Sequence, residues 1–406
     1  MNFIKKNYLV FVAFVAFVCY QVINFYYFST TSVIFGDERR FIAEAIKLSE
    51  TGEFWKSTFR AWEMPMTAII YSLFYGIFET KESLIIFVRV FQSSLLILQA
   101  YILYCISLKL FKDQIAAYLT YTIVLFYPFF IFYQGLLLSE NIFITLLIVS
   151  FYYIYTWYED NFKINSHFIL ANFFLIMTIY SKGTLSILPP LLLTSFYFIN
   201  RYNWRNTLKV FFLSTLLYLS FMSPWWIRNY ILFDQFIPFT TSSGMNLYLG
   251  NNKYNLSGGA DWSKDVNIRE VSRMFSIEDE LLQNNAFKEK ALNFISNNPD
   301  RFVELAWLKL KRFYNIIPNA DVYKQGYYKW VSLISYGSII ILFILSLIIH
   351  LKYFKKLSAI YILFIYYTLI HVIVIASLRY RLPLEAFMIL LGTPVLSKFI
   401  TMVKTK

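Results

Sequence analysis

The sequence YLVFVAFVAFVCYQVINFYYF, residues 8–28, sets the interpretation of the whole chain. It has the length of a bilayer-spanning helix, which needs about 20 apolar residues, and it contains no charged side chain. No small-residue cleavage pattern follows it, so we expect a retained membrane helix rather than a signal peptide. The next stretch, SVIFGDERRFIAEA, residues 32–45, presents Asp37 and Glu38 followed by Arg39 and Arg40. The chain therefore places charged groups directly after its first predicted span.

The composition of the chain is typical of a polytopic membrane protein. Of its 406 residues, 58% are hydrophobic and 15% are charged, which is too little polar surface to cover a soluble core. The net charge of +13 comes from Lys and Arg scattered between apolar segments, so membrane topology explains it better than nucleic-acid binding. Cys19 and Cys105 lie inside apolar segments without metal-ligand spacing. They predict neither a disulfide framework nor a zinc site.

Hydropathy predicts an all-α fold with about ten transmembrane helices. Lys and Arg dominate the gaps on one side of these spans, which the positive-inside rule assigns to the cytoplasm together with both termini. The predicted spans are residues 8–28, 84–108, 114–133, 140–158, 166–181, 185–200, 207–225, 330–349, 357–378 and 384–401.

Three regions follow from this pattern. Residues 1–225 form an N-terminal transmembrane module with a first outer loop at 30–83, and residues 330–406 form the C-terminal transmembrane helices. The segment 226–329 lies on the outer side, turn-rich over 236–262 and then helical, with two amphipathic helices separated at Pro299. We expect these juxtamembrane helices to form a small cap over a site.

Nearly all unusually placed polar residues fall on the predicted outer face. A structural protein or a channel has no need to gather acids and cations on one face, whereas a site that works at the outer membrane surface does. The residues are Asp37, Glu38, Arg40, Glu140, Lys182, Arg228, Arg379 and Arg381.

Asp37 and Glu38 allow two interpretations. Acids in the first turn of a helix interact favourably with the helix dipole, and FIAEAIKLSE has the pattern of an amphipathic helix. Alternatively, a carboxylate near the apolar boundary is partly desolvated, which makes it basic enough to accept a proton from a hydroxyl nucleophile. Adjacent helical residues point about 100° apart. At most one of the two acids is therefore expected to face a substrate.

The cations on this face suggest a phosphate site. Each taken alone is commonly a snorkelling or topology-setting residue at an interface. Together they resemble a site for a phosphate or pyrophosphate group, and a lipid phosphate is a suitable ligand because its tail can occupy the bilayer. The set comprises Arg40, one helical turn from Asp37, with Lys182, Arg228, Arg379 and Arg381.

Glu140 also has two interpretations. It can cap its helix together with Ser139, or it can contact a sugar hydroxyl or an acceptor amine. The histidines His167, His350 and His371 are isolated in the sequence and form no ligand cluster, so no metal site is predicted.

The outer-face motifs, taken in order, resemble GT-C fold glycosyltransferases of the family 39 type. These are relatives of the protein O-mannosyltransferases and of the lipid A aminoarabinose transferase. The motifs that carry the resemblance are FGDERRFIAEAIKLSETGEFW with WEMPMTAIIYSLFYGIF, then SENIF, YSKGTLSILPP, SPWWIRNY, NPDRFVELAWLKLKRFY and RYRLPLEAFMILL. They extend over about residues 30–390. The sequence departs from the family pattern at Met64-Pro65, where relatives often have Lys-Pro or Pro-Pro. The phosphate contact that the resemblance would place there therefore has no matching residue in this chain.

The resemblance implies an enzyme that moves a single sugar from a polyprenyl-phosphate donor to an extracytoplasmic acceptor, with inversion at the anomeric carbon. Asp37 would be the general base. The leaving phosphate would be stabilised by Arg40, Lys182, Arg228, Arg379 and Arg381. Candidate substrate-binding residues are Glu38, Glu63 and Glu140, of which Glu63 stands where some relatives carry an acid. No metal or other cofactor would be required, although a divalent cation could take part.

The location and the partners are expectations of the same kind. We expect an integral protein of a bacterial cytoplasmic membrane, with its active site on the outer face and with a protein, a lipid or a glycan as acceptor. Two other functions stay open. A transporter or flippase of lipid-linked glycans also needs cations near a lipid phosphate, but it would place ionisable residues midway along several spans. An oligosaccharide transferase or glycan polymerase is the close competitor among enzymes, and the modest outer segment favours single-sugar transfer.

Overall fold

The structure is a computed structural model that describes residues 2–28, 32–54, 59–262, 264–319 and 323–404. Within these ranges the chain consists of α-helices joined by short connections. They are α1 (Asn2–Tyr26), α2 (Gly36–Thr51), α3 (Met66–Phe78), α4 (Lys81–Phe111), α5 (Gln114–Phe126), α6 (Pro128–Gln134), α7 (Glu140–Glu159), α8 (Ser166–Ser181), α9 (Leu188–Arg201), α10 (Trp204–Phe233), α11 (Ser243–Gly250), α12 (Ile268–Phe275), α13 (Glu280–Asn297), α14 (Pro299–Tyr314), α15 (Gly326–Ile349), α16 (Phe354–Ile373) and α17 (Leu378–Lys404).

The predicted all-α polytopic fold is confirmed. Seven of the described helices are long and apolar enough to cross a membrane, namely α1, α4, α7, α10, α15, α16 and α17. Helices α5 and α6 form an eighth candidate span, bent by 49° where Pro128 cannot continue the hydrogen-bond pattern of α5. The shorter helices α8 and α9 take the positions of the fifth and sixth predicted spans. These segments follow the order of the ten predicted spans, so the count is roughly as predicted, with seven or eight described spans long enough to cross a membrane and two shorter helices.

Helices α7 and α17 form the centre of the bundle. In their apolar windows 67% and 61% of the residues are buried, against 17% in α1, because both are surrounded by other helices. Glu140 at the start of α7 contacts Arg379 at the start of α17. The two most buried spans therefore begin side by side at the same end of the bundle, and each carries a charged residue to that point.

The same end of the bundle carries two groups of shorter helices. Helices α2 and α3 pack on each other and on α4 through the buried side chains of Phe41, Tyr71 and Val88. Helices α11 to α14, which we call the cap, pack together around Phe287 and rest on α16 and α17. The contact is tight at Gly250, where a Cβ atom would lie 1.8 Å from the Val374 carbonyl oxygen.

One local prediction is incomplete and another is wrong. The stretch 236–262 has the predicted turns, but it also contains α11, whose Tyr248 and Leu249 are buried in the cap. The predicted spans 357–378 and 384–401 leave residues 379–383 outside both helices, but these residues belong to the start of α17, so Arg379 and Arg381 are helical. The two amphipathic helices separated at Pro299 are confirmed as α13 and α14. The division of the chain into three regions stays a prediction.

Candidate active site

Asp37 lies at the cap end of the bundle, in the first turn of α2, between two arginines. Its Oδ2 accepts a hydrogen bond from Nη1 of Arg379 at 2.7 Å, and its Oδ1 accepts one from Nη2 of Arg40 at 3.0 Å. The side chain of Asp37 keeps 35% of its surface exposed. The carboxylate is therefore held in one orientation while one side of it stays accessible.

Glu140 and Lys182 continue this chain of ion pairs beyond Arg379. Oε1 of Glu140 lies 2.6 Å from Nε of Arg379 and accepts a hydrogen bond from Nζ of Lys182 at 2.7 Å. Nζ of Lys182 also lies 4.7 Å from the centre of the Tyr380 ring. Only 2% of the Glu140 side chain is exposed, so burying this carboxylate depends on the two cations. Glu140 thereby fixes the positions of Arg379 and Lys182.

Glu63 closes the other end of the chain of ion pairs. Its Oε1 accepts a hydrogen bond from Nη2 of Arg40, the same nitrogen that contacts Asp37. The loop that carries Glu63 is anchored on the cap, because Glu280 of α13 accepts hydrogen bonds from the backbone N–H groups of Arg60 and Ala61 at 2.6 and 3.0 Å. The cap therefore sets the position of Glu63.

The structure thus brings together six of the candidate site residues in one alternating cluster, which we call the ion cluster. It contains three carboxylates and three cations. In order of contact these are Glu63, Arg40, Asp37, Arg379, Glu140 and Lys182.

Burial and charge act in opposite directions on the acids of the ion cluster. Burial alone would raise the pKa of Asp37, but Arg379 and Arg40 outweigh it and hold the pKa of this carboxyl below its ordinary value. For Glu63 burial outweighs Arg40, so the pKa of Glu63 is raised. Asp37 is therefore ionised at neutral pH, whereas Glu63 takes up a proton more readily than an ordinary glutamate.

A cavity of about 600 Å³ adjoins the ion cluster. Its wall is mostly apolar and aromatic, with Ile23 of α1, Tyr27 directly after that helix, Phe132 of α6 and Val331 of α15. Arg379 forms part of the same wall. A long apolar chain ending in an anionic group can therefore lie in the cavity with its charged end against the ion cluster.

Glu38 is a correction to the sequence analysis, because it is not available to a substrate. Its side chain is fully buried, and its oxygens accept hydrogen bonds from the N–H groups of Ile34, Phe35 and Leu137 at 2.9, 2.8 and 3.0 Å. It caps the start of α2 and ties it to the segment before α7. Of the two adjacent acids, the structure leaves only Asp37 facing the ion cluster.

Arg381 and Arg228 are also placed away from the ion cluster. Arg381 is fully buried, pairs with Glu385 and donates to the carbonyl oxygens of Phe313 and Asn315, so it joins α17 to the end of α14. Arg228 donates to the carbonyl oxygens of Phe54 and Arg60, both at 2.8 Å. The expected phosphate contacts of both arginines are therefore wrong for this arrangement. Their hydrogen bonds go to backbone carbonyls and, in addition, to the side chains of Glu385 from Arg381 and of Asn229 from Arg228.

Sequence reasoning missed three residues with a role at the site. Glu280 anchors the loop before Glu63, and Tyr380 lies against Lys182. Arg312, in α14, lines the cavity. Their only signal in the sequence is a charged or aromatic side chain within an ordinary amphipathic or apolar helix, and many other positions share that signal. Among the described residues, no group of three or more His, Cys, Asp or Glu side chains is arranged to hold a metal ion.

Comparison with solved structures identifies the class of the fold. The archaeal oligosaccharyltransferase AglB from Archaeoglobus fulgidus, solved with an inhibitory peptide and a dolichol-phosphate, aligns with 99% of this chain at a TM-score of 0.56 and 12% identity. The alignment covers 52% of AglB, so this chain spans about half the length of that relative. ArnT from Cupriavidus metallidurans bound to undecaprenyl phosphate aligns with 96% of this chain and 77% of its own, at 11% identity and a TM-score of 0.48. The chain has the fold of the GT-C membrane glycosyltransferases.

A family model narrows the resemblance. Residues 63–227 match the model described as dolichyl-phosphate-mannose-protein mannosyltransferase. The resemblance to GT-C glycosyltransferases of the family 39 type is confirmed, and members of this class are glycosyltransferases. The matched segment carries Glu63, Glu140 and Lys182 of the ion cluster. No curated protein sequence matches the chain.

Proposed function

We propose that this protein is an inverting glycosyltransferase that moves a single sugar from a polyprenyl-phosphate donor to an extracytoplasmic acceptor. One observation carries the proposal. Arg379 joins the accessible carboxylate of Asp37 to the wall of a large apolar cavity. A base and a lipid-phosphate site are therefore in direct contact, as transfer from a lipid-linked sugar requires.

The donor is assigned from the chemistry of the cavity. The aromatic and aliphatic wall suits an isoprenoid chain, which can pass between the equally apolar bilayer interior and the cavity at little cost in free energy. Arg379, with Arg40 and Lys182 behind it, supplies the positive charge for a phosphate. The solved structures of AglB and ArnT contain a dolichol-phosphate and undecaprenyl phosphate, respectively, which is consistent with a donor of this kind.

Asp37 performs the proton transfer in this mechanism. It accepts the proton of the acceptor hydroxyl or amine while that atom forms a bond to the anomeric carbon. The bond between the anomeric carbon and the phosphate oxygen breaks on the opposite face of the sugar, so the configuration inverts. Its electron pair leaves on polyprenyl phosphate, which gains one negative charge.

The cations of the ion cluster stabilise that developing charge. Arg379 and Lys182 are held by Glu140 before the donor arrives, so they need little reorganisation during the reaction. As the phosphate attracts Arg379 and Arg40, it weakens their hold on Asp37 and makes this carboxylate more basic. The mechanism includes no required metal, and adding a chelator to the assay below tests for a divalent cation.

The chain is an integral membrane protein by its apolar helices and its fold. We place the ion cluster on the outer face of a bacterial cytoplasmic membrane, with both termini in the cytoplasm, because Lys and Arg are concentrated in the loops at the other end of the bundle. The acceptor, whether a protein, a lipid or a glycan, would approach from the cap side, where Asp37 and Glu63 are partly exposed.

The function is tested by mass spectrometry of cell-envelope glycans from cells with and without the gene. We expect one glycan to lose a single sugar residue in the deletion strain and to regain it when the wild-type protein is restored. Purified membranes that contain the wild-type protein should also add this sugar to the glycan when they are supplied with polyprenyl-phosphate sugar, with or without a chelator. Unchanged glycans in the deletion strain, under conditions where the protein is produced, would contradict the proposal.

A second candidate function is transfer of a whole oligosaccharide. The fold likeness to AglB, an oligosaccharyltransferase, is the observation that favours it. The same mass spectra separate the two functions, because loss of a complete oligosaccharide from the acceptor would support this candidate and loss of one sugar would support the first.

The pH dependence of kcat/KM should reflect the lowered pKa of Asp37. The base is active when ionised, and its ionised fraction falls only as the pH drops through a pKa below the ordinary aspartate value of about 3.9. Asp37 should therefore cause no decline in kcat/KM between about pH 7 and pH 5. Removing a cation in Arg40→Gln should move the acidic limb to higher pH. An acidic limb that stays in place in Arg40→Gln would count against Asp37 as the base.

A further inference from the structure

The cavity beside the ion cluster has a second charged residue in its wall. Of the described residues that line it, two are charged, and these are Arg379 at the start of α17 and Arg312 near the end of α14. Arg379 belongs to the transmembrane bundle and Arg312 to the cap. The remaining wall is mostly aromatic and aliphatic, with Asn319 among its few polar side chains. An apolar cavity with a guanidinium from each of two elements is suited to an amphiphile with an anionic group.

The cap holds Arg312 through a turn at Gly258-Gly259. Nη1 of Arg312 lies 3.3 Å from Oγ of Ser257, and a Cβ on Gly259 would lie 2.5 Å from its Cζ atom, so the glycine backbone rests directly on the guanidinium. Gly258 adopts a φ of +70°, which favours glycine. Any larger residue at position 259 would displace the Arg312 side chain.

The same turn is fixed from its other side by a buried acid. Asp265 is fully buried and accepts hydrogen bonds from Oγ and the N–H group of Ser257 at 2.6 and 3.0 Å. It also accepts from the N–H group of Asp261 at 3.0 Å. Ser257 therefore cannot move away from Arg312 without breaking buried hydrogen bonds. This arrangement gives the arginine a defined place at the cavity.

We propose that Arg312 is a second binding residue for the donor phosphate, supplied by the cap opposite Arg379, and that the turn at 257–259 positions it. The inference rests on the proposed function and adds a residue to its donor site. The polyprenyl chain would lie along Phe132 and Val331, and the phosphate would enter between the two arginines. Because the wall around it is apolar, a guanidinium at this place can form a charge-assisted hydrogen bond to an anion with little competition from water.

The experiment measures binding of undecaprenyl phosphate to the full-length protein in phosphatidylcholine nanodiscs. We expect Arg312→Gln to raise the Kd about tenfold, the size expected for one charge-assisted hydrogen bond. Arg312→Lys should recover part of the affinity because it keeps the charge. Lys311→Gln is the matched control, since this exposed lysine is the neighbouring cation on α14 and does not line the cavity. The control should bind as tightly as the wild type.

A separate comparison identifies the source of the phosphate. Nanodiscs containing phosphatidylglycerol present an anionic phospholipid headgroup without an isoprenoid chain. If this lipid competes as well as added undecaprenyl phosphate and loses affinity equally in Arg312→Gln, the cavity binds phospholipid and the proposal is overturned. In kinetic assays, Arg312→Gln should raise the KM for the donor and leave the KM for the acceptor unchanged.

Two further outcomes overturn the inference in distinguishable ways. Wild-type affinity in Arg312→Gln removes Arg312 from the site while leaving the proposed function intact. Failure of the wild-type protein to bind undecaprenyl phosphate removes the proposed function as well. Should Arg312→Gln prove unstable, Ser257→Ala removes the hydroxyl beside the guanidinium and should weaken binding by a smaller factor. Unchanged binding in Ser257→Ala would then contradict the positioning role of the turn.

Discussion

Replacing Asp37 with asparagine is expected to abolish sugar transfer while leaving the protein folded. Asparagine has nearly the same shape, and its carbonyl oxygen can still accept one of the two hydrogen bonds from Arg40 and Arg379. It cannot accept the proton of the acceptor, and loss of a general base lowers rates by about 10²- to 10⁴-fold. Transfer to the acceptor from a polyprenyl-phosphate sugar in proteoliposomes measures this effect.

The control for Asp37→Asn is Glu50→Gln on the same helix. Glu50 is exposed at the far end of α2, and its Oε1 accepts a hydrogen bond from the Tyr75 hydroxyl. This variant removes one carboxylate from α2 without touching the ion cluster, so it should transfer at the wild-type rate. Binding of undecaprenyl phosphate should survive in Asp37→Asn, because the cations remain. Near wild-type transfer by Asp37→Asn would show that another group is the base.

Replacing Arg379 with glutamine is expected to remove both donor binding and activity. Arg379 contacts Asp37 and Glu140 and lines the cavity. Its loss leaves the buried Glu140 with Lys182 as its cation partner among the described residues. Truncating one member of a buried charge network costs about 2–5 kcal/mol, equivalent to a loss of affinity of more than about 30-fold. The measurement is the Kd of undecaprenyl phosphate together with the transfer rate.

Two further variants, Arg379→Lys and Arg381→Gln, test whether the effect is specific to the Arg379 guanidinium. Lysine keeps the charge but cannot hold two carboxylates with one planar group, so Arg379→Lys should recover little activity. Arg381 lies on the same turn of α17, but it pairs with Glu385 and with backbone carbonyls. Arg381→Gln should therefore lower the melting temperature, and the remaining folded protein should bind donor normally. Equal loss of donor binding in both glutamine variants would contradict a specific role for Arg379.

The fold was largely predictable because hydrophobic length identifies membrane helices directly. Long uncharged stretches such as those of α1 and α15 have no stable alternative in a bilayer. The start of α17 was missed because Arg379 and Arg381 interrupt the apolar pattern. The charge of Arg379 is neutralised by Asp37 and Glu140 from elsewhere in the chain, and that of Arg381 by Glu385 one turn further along α17. A hydropathy window cannot detect partners that are distant in sequence.

The sequence predicted which residues gather on one face of the membrane. It predicted less well which contacts each of these residues makes. Arg379 and Arg381 are identical residues two positions apart, yet one joins the ion cluster and the other binds backbone carbonyls. Which one faces the cavity depends on the rotation of α17 against α7 and α14. The sequence alone could not fully distinguish the role of Glu38 from that of Asp37. One of the three backbone partners of Glu38 is Leu137, which lies far along the chain.

The balance of charge within the ion cluster bears on which molecules can enter the site. Three carboxylates face three cations, so a small anion from the surroundings must compete with partners already at contact distance. Such an anion gains little by entering. A lipid phosphate is held in the bilayer beside the cavity at a high effective concentration, which can offset the cost of parting Arg379 from Asp37. When the product departs, the ion pairs re-form and favour its release. We therefore expect the resting cluster to exclude free anions and to admit an anionic group that is carried by a lipid.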